Sequence, residues 1–350
     1  MIVPDHAAAA SAAAAPGTHS LSYHGGRLDH AARCFPAARS PWIDLSTGIN
    51  PVPWPVERMA PPDLRSLPSI DALQELHAAA ARRFDIGEAA IAAVPGSEIG
   101  LRLLPLLDPP RPWRIVAPGY RTHAAALPGA STIDAGALAD EVGRGGTILL
   151  ANPNNPDGHR WPRRELIEAA RRLSERGGML VVDEAFADAL PEASILPLLA
   201  CDDRVLVFRS FGKFYGLAGV RLGFVCGTGA MVASIARQLG SWPVSATAIV
   251  CGTAAYADDR WGETTLERLG EDAAALDRLL ATHGLEARGH CPLFRLVETN
   301  DAPAIFERLA RAGILVRPFD DEPRWLRFGL PPGADAVARL DDALGARNRG

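Results

Sequence analysis

Lysine is nearly absent from this chain. Of 36 basic side chains, one is lysine, Lys213, and the others are arginine. A guanidinium stays protonated in any protein, whereas an ε-amine that is desolvated or set beside another cation can lose its proton and attack a carbonyl. Lys213 is therefore either a chance survivor of a strong arginine bias or the one place where a nucleophilic amine is needed. Other absences narrow the field. The five cysteines (Cys34, Cys201, Cys226, Cys251, Cys291) are scattered, with no CxxC pair. That argues against a disulfide framework and a zinc site, and fits a reducing cytosol. No apolar run approaches the ~18 residues of a membrane span. A net charge of −5 argues against nucleic acid as the main partner. The opening stretch contains AAAASAAAAPG but no basic start and no Leu/Val-rich run, so it reads as a fraying leader and not a signal peptide. No internal repeat is present.

What is there is core material. Apolar residues make up 48% of the 350 and charged ones 22%, which is a globular balance. The length predicts one large and one smaller domain. Six prolines between residues 51 and 68 predict an extended arm over the surface. The middle of the chain then alternates. Apolar runs at 114–119, 147–153, 178–186, 204–211 and 221–227 read as strands, and RRELIEAARRLSERGG (163–178) reads as an amphipathic helix. Its apolar face is Leu166, Ile167, Ala170 and Leu173, with Gly177 at its end. Short, fully apolar strands separated by helices predict an α/β fold with a buried, mostly parallel sheet covered by helices. After about residue 250 the pattern becomes helix (263–283), strand (294–298), helix (302–312) and strands (314–319, 325–330), a smaller α+β domain. The expected division is a leader and arm at 1–45, a large domain at 46–248 and a small domain at 249–350.

Ligands of such sheets sit at the carboxyl ends of strands, and the polar motifs fall there. PGSEIG (95–100) is a turn opening a helix, where the backbone of Gly96, Ser97 and Glu98 can cup an anion. NPNNPDG (152–158) follows a strand and reads as a turn bearing Asn155. VVDEAF (181–186) places Asp183 at the end of a buried strand, where a carboxylate needs a partner. SFGKFYGLAGVRLG (210–223) gathers Ser210, Lys213 and Arg221 within twelve residues. An anion cup, a buried carboxylate and one amine meet the needs of pyridoxal phosphate: a seat for its phosphate, an acid for its ring nitrogen and a lysine for its aldehyde.

NPNNPDG, VVDEAF and SFGKFYGLAGVRLG, in this order and spacing, resemble the fold-type I aminotransferase superfamily over roughly residues 44–330. The resemblance implies that Lys213 binds pyridoxal 5'-phosphate covalently and Asp183 pairs with its ring nitrogen. It also implies that Asn155 bonds its phenolic oxygen, Tyr120 stacks on its ring, and Ser97, Ser210 and Arg221 hold its phosphate. Arg327, in WLRFGL, would fork the substrate carboxylate. Two positions depart from the pattern: Phe186 stands where many relatives have tyrosine, and Leu67 where relatives carry a tyrosine that reaches the partner subunit. A phenol contact is thus missing, and the shared-site picture is weakened, though a homodimer is still expected.

HGGRLDHAARCF (24–35), WIDLSTGINPVPWP (42–55), LGSWPVSATA (239–248) and CPLFRLV (291–297) are more narrowly similar to the threonine-phosphate decarboxylases of cobalamin biosynthesis. That resemblance implies a cytoplasmic, pyridoxal-phosphate-dependent carboxy-lyase. Its reaction converts L-threonine O-3-phosphate to (R)-1-amino-2-propanol O-2-phosphate. The alternative is an aminotransferase acting on a phosphorylated donor such as histidinol phosphate. His24 and Gly25 are either a plain loop or part of the substrate site; Arg27 and Arg160 are further candidates for the substrate phosphate. Lys213 is the expected proton donor to Cα, with a water, Tyr23 or Tyr215 as alternatives. Residue types do not separate decarboxylation from transamination. Two rivals fail. VVDE also resembles the acidic strand of a phosphate-loop ATPase, but Val207 stands where GxxxxGK[ST] needs glycine, and Phe214 follows the lysine. A cofactor-sensing DNA-binding regulator would need a recognition helix, and none is read in the leader.

Overall fold

The computed structural model describes Leu21 and residues 25–87, 89–200 and 202–346. His24, Tyr23 and the alanine-rich leader lie outside the described residues. In chain order the first strands are β1 (Ile43–Asp44), β2 (Ala90–Val94), β3 (Trp113–Ala117), β4 (Ser131–Asp134), β5 (Thr147–Ala151), β6 (Met179–Glu184), β7 (Val205–Ser210) and β8 (Gly223–Gly227). Seven of them form one sheet in the order β2-β8-β7-β6-β5-β3-β4. Its five-strand run from β7 to β4 is parallel throughout. β8 runs antiparallel to both its neighbours. Every residue of β5 and β6 is buried, which is why those runs are apolar without alternation. β4 was not read from the sequence: STID is a largely exposed edge strand with no apolar run to mark it.

The helix at Arg163–Ser174 covers the sheet with Leu166, Ile167, Ala170 and Leu173, as its spacing predicts, and adds Ala169. It stops before Gly177, where the N–H of Gly178 closes back on the carbonyl of Leu173 at 2.8 Å. The proline-rich stretch holds one 3-10 turn, Val56–Arg58.

Beyond the large sheet come β9 (Ala287–Arg288), β10 (Phe294–Glu298), β11 (Ile314–Leu315), β12 (Arg317–Pro318) and β13 (Trp325–Gly329). The smaller sheet has the order β12-β13-β10-β9 and is antiparallel. It is accompanied by helices at Asp259–Thr282, Ala302–Arg311 and Ala334–Gly345. The single strand expected over 314–319 is split in two. β11 pairs in parallel with β1, while β12 pairs with β13. The first sheet-forming segment is thereby tied to the end of the chain.

Two registers position chemistry. β6 and β7 set Glu184 opposite Arg209, the neighbours of Asp183 and Ser210. Arg209 is buried and donates to Glu184 at 3.0 Å, to Asp188 and to Ser194. Ser194 and the N–H of Ile195 complete the Glu184 carboxylate. Buried charges hold only when paired and bonded in this way, and the cluster locks the two strand ends together. β12 and β13 set Arg317 directly opposite Arg327. Like charges facing each other across a strand pair are destabilising, so this register concentrates positive charge at one place.

Candidate active site

The C-terminal ends of the parallel strands open into a cavity of about 240 Å³. Gly25, Gly96, Ser97, Glu98, Tyr120, Asn155, Asp183, Ser210, Lys213, Arg221 and Arg327 all line it. Gly96, Tyr120, Asn155, Asp183 and Ser210 reach it from the ends of β2, β3, β5, β6 and β7, Arg221 from just before β8, Arg327 from within β13 and Gly25 from ahead of the first strand. Arg160 does not join them. Its guanidinium is partly exposed and pairs with Glu192 at 3.2 Å outside the cavity, so the structure gives it no place among the residues around Lys213. The turn at 152–158 aims Asn155, not Arg160, into the cavity.

Lys213 sits on a four-residue helix, Phe211–Phe214, between the ends of β7 and β8. Burial first, then Arg327, with Arg221 and Arg317 adding to it and Asp183 opposing, pushes its ammonium down to about 8. Phe186 supplies part of that dry wall, with its ring centre 5.9 Å from Nζ. The amine is protonated below that pH and neutral above it. Capture of an aldehyde cofactor by the apo-protein should therefore speed up about tenfold from pH 7 to pH 9 and then level off. Stopped-flow absorbance across that range checks it; a flat profile would remove the depressed lysine.

Asp183 is buried at the end of β6. One carboxylate oxygen meets His123 Nε2 at 3.1 Å and the other accepts the N–H of Ala185 at 3.1 Å. His123 was missed from the sequence, where it lies in the apolar-looking THAAA, three residues after Tyr120. The Tyr120 and His123 rings meet edge to face at 5.7 Å. At the other wall, Gly96 has φ +93°, and a Cβ there would lie 2.7 Å from Arg221 Nη2. Only glycine lets the guanidinium and the helix start close around one anion. A phosphate seat at Gly96, Ser97, Ser210 and Arg221, an acid at Asp183 and an amine at Lys213 thus share one cavity. The donor set fits pyridoxal phosphate. Among the described residues no cluster of ligand side chains could hold a metal ion.

The remaining wall is cationic. Arg327 is 3% exposed, and burial, with the Arg317 charge, pushes it down to about 9. It donates to Asn155 Oδ1 and to the carbonyl of Ser46, lies over the Phe294 ring, and leaves its Nε without a partner. No ion pair among the described residues neutralises it. Asn155 thereby has its oxygen turned to Arg327, which frees its amide N–H groups for another acceptor. Arg317, missed from the sequence, lines the same cavity and is pushed down to about 10 by burial and by Arg121. Its signal was visible: a lone arginine in the apolar run ILVRPF, ten residues before Arg327. Phe186 is buried against Phe294 with centroids 5.0 Å apart, so position 186 brings a ring to the site but no phenol oxygen.

The aminotransferase class I and II family model matches residues 124–340, more than half of the chain. The chain is 39% identical over 324 residues to a threonine-phosphate decarboxylase of Sinorhizobium sp., covering 92% of this chain and 97% of that protein. It is 38% identical over 334 residues to one of Pseudomonas aeruginosa, covering 92% and 96%. The crystal structure of a histidinol-phosphate aminotransferase from Sinorhizobium meliloti in complex with pyridoxal-5'-phosphate superposes with a TM-score of 0.77. That match has 24% identity and covers 90% of this chain and 93% of that one, a likeness of fold. By its motifs, its sheet order and these matches, the chain belongs to the aminotransferase class I and II family and, within it, to the threonine-phosphate decarboxylases.

Proposed function

We propose that this protein removes CO₂ from L-threonine O-3-phosphate to give (R)-1-amino-2-propanol O-2-phosphate, using pyridoxal 5'-phosphate. The observation that carries this reading is the facing pair Arg317 and Arg327 in a cavity whose only amine is Lys213. The substrate brings a carboxylate and a phosphate, and two buried guanidiniums answer two anions. Arg327, held as a fork by Asn155 and Ser46, takes the carboxylate; Arg317 takes the phosphate, with Gly25 at the rim. Arg221, Ser210 and the backbone at Gly96, Ser97 and Glu98 hold the cofactor phosphate. Lys213 holds the cofactor through its amine, Tyr120 covers its ring, Asn155 donates to its phenolic oxygen, and Asp183, oriented by His123, keeps its nitrogen protonated. When bound, the cofactor supplies a ring that accepts the electron pair left at Cα as CO₂ departs. The two arginines fix how the substrate is turned about its Cα, and that rotation selects the bond that breaks. Lys213, with its ammonium brought near neutrality, holds the proton that returns to Cα.

The same reading makes the protein a cytoplasmic homodimer that supplies an amino-alcohol phosphate to cobalamin biosynthesis. Support for the dimer is the exposed apolar arm Leu64, Leu67 and Ile70, with Trp242. Support for a reducing compartment is the scattered spacing of the five cysteines, none of them in a CxxC pair. Residues 46–248 then form the cofactor-holding domain, and residues 249–350 the one that brings Arg317 and Arg327.

The test is product analysis. Purified protein, pyridoxal phosphate and L-threonine O-3-phosphate are incubated without an oxo acid, and products are identified by mass. Catalytic aminopropanol phosphate and CO₂ are expected. Turnover seen only with histidinol phosphate and 2-oxoglutarate would overturn decarboxylation and make the protein an aminotransferase.

A further inference from the structure

Residues 42–55, WIDLSTGINPVPWP, carry part of the family resemblance, yet only Thr47 and Gly48 of them line the cavity. The segment leaves β1, beside the small sheet, and ends where the N–H of Trp54 donates to the carbonyl of Tyr215 at 2.9 Å, beside the lysine helix. Two buried polar residues stand on it, each 1% exposed: Ser46 and Asn50.

Ser46 works in two directions. Its hydroxyl donates to Asp44 at 2.6 Å and accepts the N–H of Gly26 at 2.8 Å. Its carbonyl accepts from Arg327 Nη2 at 2.8 Å. Gly25, on the cavity rim, packs so closely that a Cβ on it would lie 2.3 Å from the Ser46 carbonyl oxygen. The rim and the cavity arginine are thus held by one residue.

Asn50 holds the other end. Its N–H donates to the carbonyl of Lys213 at 2.9 Å and its amide donates to the carbonyl of Phe214 at 2.8 Å. Its side-chain oxygen accepts from the N–H of Val52 at 3.0 Å and from Arg268 at 2.7 Å. A helix of four residues cannot fix itself, because its end carbonyls have no partners within so short a run. Asn50 supplies those partners at the residue that bears the amine.

We propose that residues 44–50 form a two-ended positioning strap, in which Ser46 sets Arg327 and the Gly25 rim for the substrate anions and Asn50 sets the backbone that carries Lys213. The identity of the substrate rests on the proposed function; the two ends of the strap do not. A segment that merely stabilised the fold would move kcat, KM and cofactor content together. A strap with two ends separates them.

The experiment compares Ser46→Ala, Asn50→Ala and Asn50→Asp with wild type in the holoenzyme. Asn50→Asp keeps the two accepting contacts and loses the donation to Phe214, so it serves if the alanine variant folds poorly. Ser46→Ala removes both hydroxyl bonds, to Asp44 and from Gly26, and keeps the backbone carbonyl on Arg327, so the Gly25 rim loosens; KM for L-threonine O-3-phosphate is expected to rise roughly three- to tenfold while kcat stays within twofold. The Asn50 variants are expected to lower kcat about tenfold or more, with KM nearly constant, because a misplaced amine impairs the chemical step. Two readouts need no turnover. Calorimetry gives the affinity of L-threonine O-3-phosphate for the apo-protein, weakened in Ser46→Ala alone. The pH midpoint of cofactor capture, set at Lys213 by Asp183, Arg221, Arg317 and Arg327 around it, shifts in the Asn50 variants alone. The same parameter changed by both ends, or no change at either, overturns the strap. Wild-type protein that binds cofactor but releases no CO₂ would instead overturn the proposed function, and the turnover-free readouts would still decide the strap.

Discussion

Lys213→Arg folds, binds the cofactor without a covalent bond and loses activity by on the order of 10⁴-fold or more. The substitution keeps a long cationic side chain, so a role limited to charge would survive it. What it removes is an amine that can shed its proton. Burial and the neighbouring Arg327, Arg221 and Arg317 bring Lys213 down to about 8, within reach of a neutral form. The same surroundings cannot do this to a guanidinium. Arginine would place a permanent charge beside the facing pair Arg317 and Arg327, so cofactor affinity falls as well. Absorbance spectra with and without borohydride reduction, followed by intact mass, read the covalent bond directly. A reducible adduct in the variant would sink the assignment of Lys213. Lys213→Met, close in shape and uncharged, separates the lost amine from the bulk of arginine.

Arg327→Ala raises KM for the phosphorylated amino acid by about 10²- to 10³-fold and leaves cofactor bound, because truncating one side of a buried charge–anion contact typically removes several kcal/mol of binding. Arg327 is suited to this by what surrounds it. It is buried, has no carboxylate partner among the described residues, faces a second arginine in register, and is aimed by Asn155 and the Ser46 carbonyl. The apo-protein should lose some stability. Two acceptors lose a donor, a penalty of about 1–3 kcal/mol for each buried group left unsatisfied, and relief of the Arg317 charge offsets part of it. Arg327→Lys keeps the charge but not the fork, so it recovers only part of the affinity. Steady-state kinetics and cofactor titration of the two variants check this. Loss of cofactor with unchanged KM would move Arg327 out of the carboxylate role.

Both expectations began with residue types, and the limits of that reading are local. Asp183, Ser210 and Lys213 were legible because each lies at or just beyond a largely apolar run whose strand character is plain. Arg160 was a candidate for the substrate phosphate, and the structure puts it outside the cavity, paired with Glu192, because NPNNPDGHR fixes a turn but not which side chain faces inward. His123 and Arg317 were overlooked because their partners lie 60 residues away in Asp183 and across a strand pair in Arg327. The strand over 314–319 read as one element, yet its two halves pair with different strands, which no single-strand periodicity records.

By itself the sequence determined the chemistry available: one amine among arginines, a carboxylate at the end of a buried strand, and glycine where a helix start must approach an anion. Periodicity and composition carry that information because they reflect local backbone preference and burial. Only the tertiary structure decided which distant groups became neighbours. Parallel register brought Glu184 against Arg209, antiparallel register set Arg317 beside Arg327, and the segment from Asp44 to Asn50 joined the arginine wall to the lysine helix. Those contacts follow from how strands pair and pack across the fold, and strand pairing across long separations leaves almost no mark on the local pattern of residues.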